Sequence, residues 1–212
     1  MTAPPRQRTR LDPEVRRGQI LEAAERVFAE RDPQDVTFEE LAAAAGVSRA
    51  LVYNYFGDKT GLVAAVYCRC LNRLHDELEL AIDPHATDAV RLRSGIDCYL
   101  RFAKRNLGSW RLMSHTGATD HPDVRRARRE RFEELAAGWG GTLEARMVAR
   151  GMVAFLEGAT VVWIDSGGHD VEQVADLLFT ILWHGLSAVA GPQLRPAGES
   201  STRQQYQAAT LR

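Results

Sequence analysis

The sequence is poor in the residues from which disulfides and metal sites are built. Its 212 residues include only three cysteines, Cys68, Cys70 and Cys98, with neither a C-x-x-C pair nor a zinc-finger spacing. Residues 120–123 (Asp-His-Pro-Asp) carry metal-capable side chains, but a proline there is typical of a helix start. We expect no metal and no cofactor. Reduced, packed thiols are the favoured state of the cysteines, with a redox-sensing pair as the alternative.

Patterns that mark membrane proteins and enzymes are also missing. We find no signal peptide and no apolar run that we judge long enough to span a bilayer, so we expect a cytoplasmic protein without a membrane partner. There is no phosphate-cradling glycine loop, no activated nucleophile pattern and no carboxylate pair in a supporting context, which argues against an enzyme. The chain has 27 basic and 28 acidic residues, so its overall charge does not indicate nucleic-acid binding.

Residues 37–62 carry the strongest local signal. Thr37 is followed three positions later by Glu40, which forms a capping box before an apolar run. Gly46 follows that run, where a residue with positive φ ends a helix at little steric cost. Ser48 is suited to cap a second short helix. Two capped helices joined at one glycine predict a helix-turn-helix, whose second helix enters the major groove of DNA.

The segment Val47–Phe56, followed by Lys59 and Leu62, resembles the recognition segment of the TetR (tetracycline-repressor) family of bacterial transcription regulators. The similarity covers roughly residues 14–66 and includes the family's core positions in the preceding helix, namely Ile20, Ala23, Ala24 and Phe28. Two departures are visible. Ala50 replaces a glycine that is often found in the recognition helix, and Thr60-Gly61 stands where an acidic residue often follows the lysine.

The outer side of the second helix supplies the candidate DNA contacts. Arg49 is the best candidate to recognise a guanine edge, and Ala50 to meet a thymine methyl group. The resemblance implies that Tyr53 and Lys59 bind the DNA backbone, whereas Tyr55 has an equally good interpretation as a packing residue. The full predicted set is Thr37, Ser48, Arg49, Ala50, Tyr53, Asn54, Tyr55 and Lys59.

Every periodic segment of the chain favours helix, so the predicted fold is all-α, with an N-terminal three-helix DNA-binding domain and a C-terminal helical ligand-binding and dimerisation domain. The N-terminal segment carries five arginines among its first 17 residues, and we leave open whether it contacts DNA or is a soluble tail. The predicted divisions are a flexible basic arm (1–11), the helix-turn-helix domain (12–57), the effector and dimerisation domain (58–190) and a flexible tail (191–212).

Helices predicted at 143–166 and 171–190 are apolar around much of their circumference, which indicates burial on more than one side. Either they lie centrally in the core, or each pairs with its copy in a four-helix bundle between two subunits. The predicted dimer interface comprises Ala159, Val162, Leu178, Ile181, Leu182 and Gly185.

The resemblance implies an effector pocket, and the middle of the chain is rich in aromatic residues that suit an apolar ligand. The predicted lining is Tyr99, Phe102, Trp110, Met113, Phe132, Trp139, Phe155 and Trp163. Ordinary core packing is the alternative for each of them. The arginine-rich residues 125–131 suit either an anionic effector such as an acyl-coenzyme A or, as we favour, a solvated helix face.

We therefore expect a homodimeric repressor that binds a palindromic operator in double-stranded DNA and is released by a small apolar or amphipathic effector. The competing classes are a small helical enzyme and a dimeric helical scaffold, which would leave the capped residues 37–56 without a role. The operator, the regulated genes, the effector's identity, repression versus activation and the number of dimers per operator are not determined by the sequence.

Overall fold

The computed structural model describes residues 12–115, 120–167 and 169–189. Within these ranges the chain forms nine α-helices and no strand, which confirms the all-α prediction. The predicted N-terminal arm (1–11) and C-terminal tail (191–212) lie outside the described residues. The helices are α1 (Pro13–Glu30), α2 (Phe38–Ala44), α3 (Arg49–Phe56), α4 (Lys59–Ala81), α5 (Asp88–Arg105), α6 (Leu107–His115), α7 (Pro122–Ala137), α8 (Leu143–Ser166) and α9 (Val171–Val189).

Local sequence accounts for where the helices begin and end. The Asp12 carboxylate accepts a hydrogen bond of 2.8 Å from the Glu14 amide, and Pro13 occupies the first helical position of α1. At α8, the Thr142 hydroxyl accepts a 3.2 Å hydrogen bond from the Ala145 amide. Gly167 ends the same helix at a φ of 67°, a conformation that glycine adopts without steric cost.

The chain divides into two compact units. The first combines the residues up to Leu80 with Arg101–Arg128, and the second combines Ala81–Leu100 with the residues from Arg129 onward. The division of the DNA-binding domain from the effector domain after residue 57 stays a prediction.

In the first unit, α1 lies directly against α6. A Cβ atom added to Gly108 would lie only 2.1 Å from the Cα of Ala29, so the two helix backbones touch at this point. Apolar side chains from several helices of the unit are fully buried, among them Ile20, Leu41, Val52, Leu62, Val66, Tyr67 and Trp110. The helix-turn-helix is therefore built on a packed apolar core.

A mostly buried carboxylate also connects helices of the first unit. Glu25 of α1 accepts a hydrogen bond of 2.6 Å from the Ser109 hydroxyl of α6 and lies 2.7 Å from a guanidinium nitrogen of Arg73 of α4. The Cys70 thiol is 3.7 Å from the same carboxylate. Burial, together with the Glu25 charge, raises the pKa of Cys70 to about 11, so this thiol is protonated at neutral pH.

In the second unit, small residues allow α7 and α8 to pack closely. Ala136, Ala145 and Ala149 form a buried cluster that Leu135 and Trp139 cover. The indole N–H of Trp163, at the end of α8, donates a 3.0 Å hydrogen bond to the carbonyl of His169 before α9. This bond satisfies the polar atom of a buried aromatic side chain.

Helix α8 corrects one expectation from the sequence. Among the described residues it is the one helix long and apolar enough to cross a membrane, with an 18-residue window of mean hydropathy 1.5, of which 22% is buried. Any such window in α8 includes Arg150 and Glu157, and these two charges interrupt its apolar sequence. A charge near a bilayer centre costs about 2.5–3.5 kcal/mol, so these two charges oppose insertion of α8 into a bilayer.

Candidate nucleic-acid interface

The entry into α2 is a complete capping box. The Thr37 hydroxyl accepts a 3.2 Å hydrogen bond from the Glu40 amide, and the Glu40 carboxylate accepts one of 2.7 Å from the Thr37 amide. The Arg31 guanidinium donates to the same carboxylate at 2.7 Å. Hydrogen bonds from Arg31 and then from Thr37 lower the pKa of Glu40 to about 2. These contacts stabilise the first helix of the motif in one orientation.

The turn between α2 and α3 is a Schellman motif. The amide of Gly46 bonds the carbonyl of Ala43 at 3.0 Å, and the amide of Val47 bonds that of Ala42 at 3.0 Å. Gly46 has a φ of 64°, in the left-handed region that disfavours side chains. The angle between the two helices is thus determined by hydrogen bonds that the local sequence specifies.

Helix α3 presents one face to the core and the other to solvent. The Ser48 hydroxyl caps it by accepting a 3.2 Å hydrogen bond from the Leu51 amide. Val52 is completely buried, whereas the opposite face is exposed. The exposed side chains on that face are Arg49, Ala50, Tyr53 and Asn54. A short, rigidly placed helix with polar side chains on its free face has the form required to enter a major groove.

Glu39 is a residue of this surface that the sequence analysis missed. Its carboxylate oxygen Oε1 lies 2.6 Å from Nη1 of Arg49, which joins the start of α2 to the start of α3. An acidic residue in the first turn of a helix ordinarily interacts with the helix N-terminus. Its position in the sequence therefore gave no indication of a partner ten residues later.

The junction of α3 and α4 holds the remaining predicted contacts. Lys59 donates a 3.1 Å hydrogen bond from Nζ to the carbonyl of Gln34, so its side chain also has a role inside the protein. Tyr55 is half-buried, with its ring centroid 6.1 Å from that of Phe56. The guanidinium of Arg17 lies over the other aromatic ring, 5.4 Å from the Phe56 centroid. The Tyr55 ring therefore packs against Phe56, and a DNA contact by its hydroxyl stays a prediction.

The residues predicted to line an effector pocket belong to both units. Phe102, Trp110 and Met113 are buried in the first unit. The second unit contains Tyr99, Phe132, Trp139, Phe155 and Trp163. Two of these rings already pack within the chain, because the Arg150 guanidinium lies 4.6 Å from the Phe132 centroid and Trp139 covers the alanine cluster of α7 and α8.

One buried polar group in the second unit is unusual. The Thr160 side chain of α8 is fully buried, and its hydroxyl oxygen has no hydrogen-bond partner among the residues that the structure describes. A buried hydroxyl without a partner is unfavourable, since it has lost its bonds to water. A bound molecule with a polar group would remove this penalty.

The predicted dimer residues differ in exposure. Val162 is 69% exposed, and Ile181 and Gly185 are also exposed, while Ala159 is half-buried. Leu178 and Leu182 are only 3% and 9% exposed. Both therefore pack within a single protomer, and their place in the dimer interface stays a prediction. Leu177, which the prediction left out, is exposed in their place.

Most of the charges in the arginine-rich part of α7 have partners in the chain. Arg126 pairs with Asp123 and Arg131 with Glu134, each at 2.8 Å. Arg128 donates a 2.6 Å hydrogen bond to the Tyr67 hydroxyl. These contacts favour the interpretation of α7 as a solvated helix face over that of an anion site.

Comparison with known proteins agrees with this geometry. Residues 20–66 match the family of bacterial regulatory proteins called tetR. The chain is 33% identical over 155 residues to the HTH-type transcriptional regulator BetI of Rhizobium meliloti (strain 1021), which covers 68% of this chain and 75% of that protein. It is also 27% identical over 194 residues to the HTH-type transcriptional activator FasR of Mycolicibacterium smegmatis, with 87% and 89% covered.

A solved structure is similar over most of its length. The TetR-like transcriptional regulator from Rhodococcus sp. RHA1 has a TM-score of 0.65 and 28% sequence identity, and the match covers 84% of this chain and 99% of that one. These likenesses set aside the enzyme and the scaffold as interpretations. The chain belongs to the TetR family of bacterial transcription regulators and binds DNA through the helix-turn-helix formed by α2 and α3.

Proposed function

We propose that the protein is a homodimeric repressor that binds a palindromic operator through α3 and is released by a mostly apolar small molecule. The observation that carries the proposal is the exposed face of α3, held between a Schellman turn and a packed core. Because the fold already holds the backbone of α3, few backbone degrees of freedom have to be restricted when it enters the groove.

The chemistry of this face suits both bases and phosphates. Arg49 would donate two hydrogen bonds to a guanine, and the methyl group of Ala50 would pack against a thymine methyl. The remaining proposed contacts are to the DNA backbone. They involve the hydroxyls of Thr37, Ser48, Tyr53 and Tyr55 and the ammonium of Lys59, with Asn54 on the same face. An ammonium has three donors, so the bond from Lys59 to Gln34 is compatible with a phosphate contact.

A second copy of the chain is required for specificity. A single recognition helix reads about three or four base pairs, which is too few to define one site in a genome. Two helices related by a twofold axis and separated by about one DNA turn, roughly 34 Å, would double the site and make it palindromic.

The surface of α8 supports this association. Leu143, Met147 and Val162 are exposed on one face, with Gly151 and Gly158 between them at helical spacing. A Cβ atom at either glycine would meet no atom of the described residues within 4 Å. A glycine in a helix costs about 1 kcal/mol relative to alanine, and no contact that the structure describes within the protomer requires one. Close approach of a helix from a second copy would explain both glycines.

Helix α9 has a matching face, formed by Leu177, Ile181 and Gly185 at intervals of four residues. Together, α8 and α9 of two protomers would form a four-helix bundle that covers these side chains. Burial of the apolar face of α8 in this way also explains its hydropathy without a membrane. A regulator that acts on the chromosome belongs in the cytoplasm, where we place it.

An effector would bind in the second unit, where the buried Thr160 hydroxyl would supply a polar anchor. Tyr99, Phe155 and Trp163 of the same unit supply apolar surface, so the ligand would be mostly apolar with one polar group. It would release DNA only by binding more tightly to the conformation whose recognition helices no longer match successive grooves.

The proposal is tested by selecting bound duplexes from a random DNA pool at a stated salt concentration. We expect an enriched palindrome that the Arg49→Ala protein binds more weakly by about 1–3 kcal/mol, with unchanged dimer mass in sedimentation. No enrichment at low salt would refute the assignment of α3. A promoter reporter then distinguishes repression from activation. Loss of the protein raises transcription if it is a repressor and lowers transcription if it is an activator, as the relative FasR is named.

A further inference from the structure

Two adjacent glutamates at the start of α2 have different partners. Glu40 is engaged by Thr37 and Arg31 in the capping box. Glu39 instead pairs with Arg49, with a distance of 2.6 Å between Oε1 and Nη1. The side chains of Glu39 and Arg49 are 59% and 68% exposed, so the pair lies on the surface that also carries the exposed face of α3.

The backbone at both ends of this pair is held independently of the pair itself. The capping box holds the first turn of α2, and the Schellman turn and the Ser48 cap hold the first turn of α3. An exposed ion pair contributes little to stability, because its attraction is weak in water and two long side chains lose rotamer freedom when it forms. Its effect on this protein is therefore to restrict where the Arg49 guanidinium lies.

We propose that Glu39 is a positioning residue for base recognition, which holds Arg49 by Nη1 and leaves the edge formed by Nε and Nη2 for a guanine. The inference rests on the proposed role of Arg49. Guanine accepts two parallel hydrogen bonds at O6 and N7, which matches one edge of a guanidinium group. An arginine without this restraint also reaches neighbouring phosphates, and contacts to phosphate carry no sequence information.

The Glu39 carboxylate has a second effect, which opposes the binding of DNA. Glu39 is negatively charged next to a DNA-binding face, so it repels phosphates of every sequence. Removal of its charge is expected to strengthen binding to unrelated DNA and, at the same time, to weaken discrimination at one base pair. A purely structural role for Glu39 would change both affinities in the same direction.

The test uses full-length protein and three duplexes: the selected palindrome, a copy with the guanine that Arg49 recognises replaced in both half-sites, and an unrelated sequence. That guanine is the one at the position where the Arg49→Ala protein no longer distinguishes guanine from the other bases. The measured ratio is the affinity for the palindrome divided by the affinity for the copy with the replaced guanine. We expect Glu39→Gln to lower this ratio by about two- to fivefold and to raise the affinity for the unrelated sequence. In the Arg49→Ala background the same substitution leaves the ratio unchanged.

Two further variants separate the effect of the position of the Glu39 carboxylate from the effect of its charge. Glu39→Asp retains the charge but shortens the side chain, so it lowers the ratio without raising non-specific affinity. Glu30→Gln removes one exposed charge from α1 and leaves the ratio at the wild-type value. An unchanged ratio in Glu39→Gln, or an equal fall in both Arg49 backgrounds, overturns the inference while the proposed function stands. A wild-type protein that selects no sequence overturns both.

Discussion

Gly108→Ala is the substitution whose effect follows most directly from the structure. The added Cβ would lie 2.1 Å from the Cα and 2.3 Å from the Cβ of Ala29, whereas carbon atoms in contact lie about 3.5–4.0 Å apart. Backbone atoms cannot rotate away, so α1 and α6 would have to separate by roughly 1.5 Å. Overpacking of this kind costs about 1–3 kcal/mol, and the higher helix propensity of alanine returns about 1 kcal/mol. A shift this large belongs at the upper end of the range, so we expect a net loss of about 2 kcal/mol.

The assay is equilibrium unfolding in urea, with the free energy of unfolding of each variant obtained at a matched slope. Gly18→Ala is the control, because Gly18 is also in α1 and its Cβ would meet nothing within 4 Å. That variant should be more stable than wild type by about 0.5–1 kcal/mol. A Gly108→Ala protein as stable as Gly18→Ala would show that the two helices do not touch, and the reasoning would fail.

Two further predictions concern the α8 surface and the capping box. Gly158→Leu should convert the dimer to a monomer in sedimentation while each protomer stays helical, since its side chain projects into the space where we place a second copy; a dimer of unchanged affinity would remove α8 from the interface. Glu40 has a pKa of about 2 in the folded protein against an ordinary value of 4.5, so its stabilising effect is present above pH 4.5 and is lost as the pH falls towards 2. Glu40→Gln should therefore lower the unfolding midpoint at pH 7 but have a much smaller effect near pH 2, and an equal effect at both pH values would contradict the ion pair with Arg31.

The helices and the turn of the DNA-binding motif could be predicted because their causes are local. The capping box at Thr37, the positive φ at Gly46 and the cap at Ser48 each involve residues within five positions of one another. The bounds predicted for residues 143–166 agree with those of α8.

The tertiary structure alone decided which sides of these helices are covered. Helices α8 and α9 are apolar around much of their circumference, so periodicity could not show that Leu178 and Leu182 are buried while Val162 is exposed. The ion pair of Glu39 with Arg49 and the contact of Gly108 with Ala29 also join residues of different helices. Sequence patterns describe how one helix is built, whereas such contacts depend on how helices pack, which is determined by the side chains of both partners.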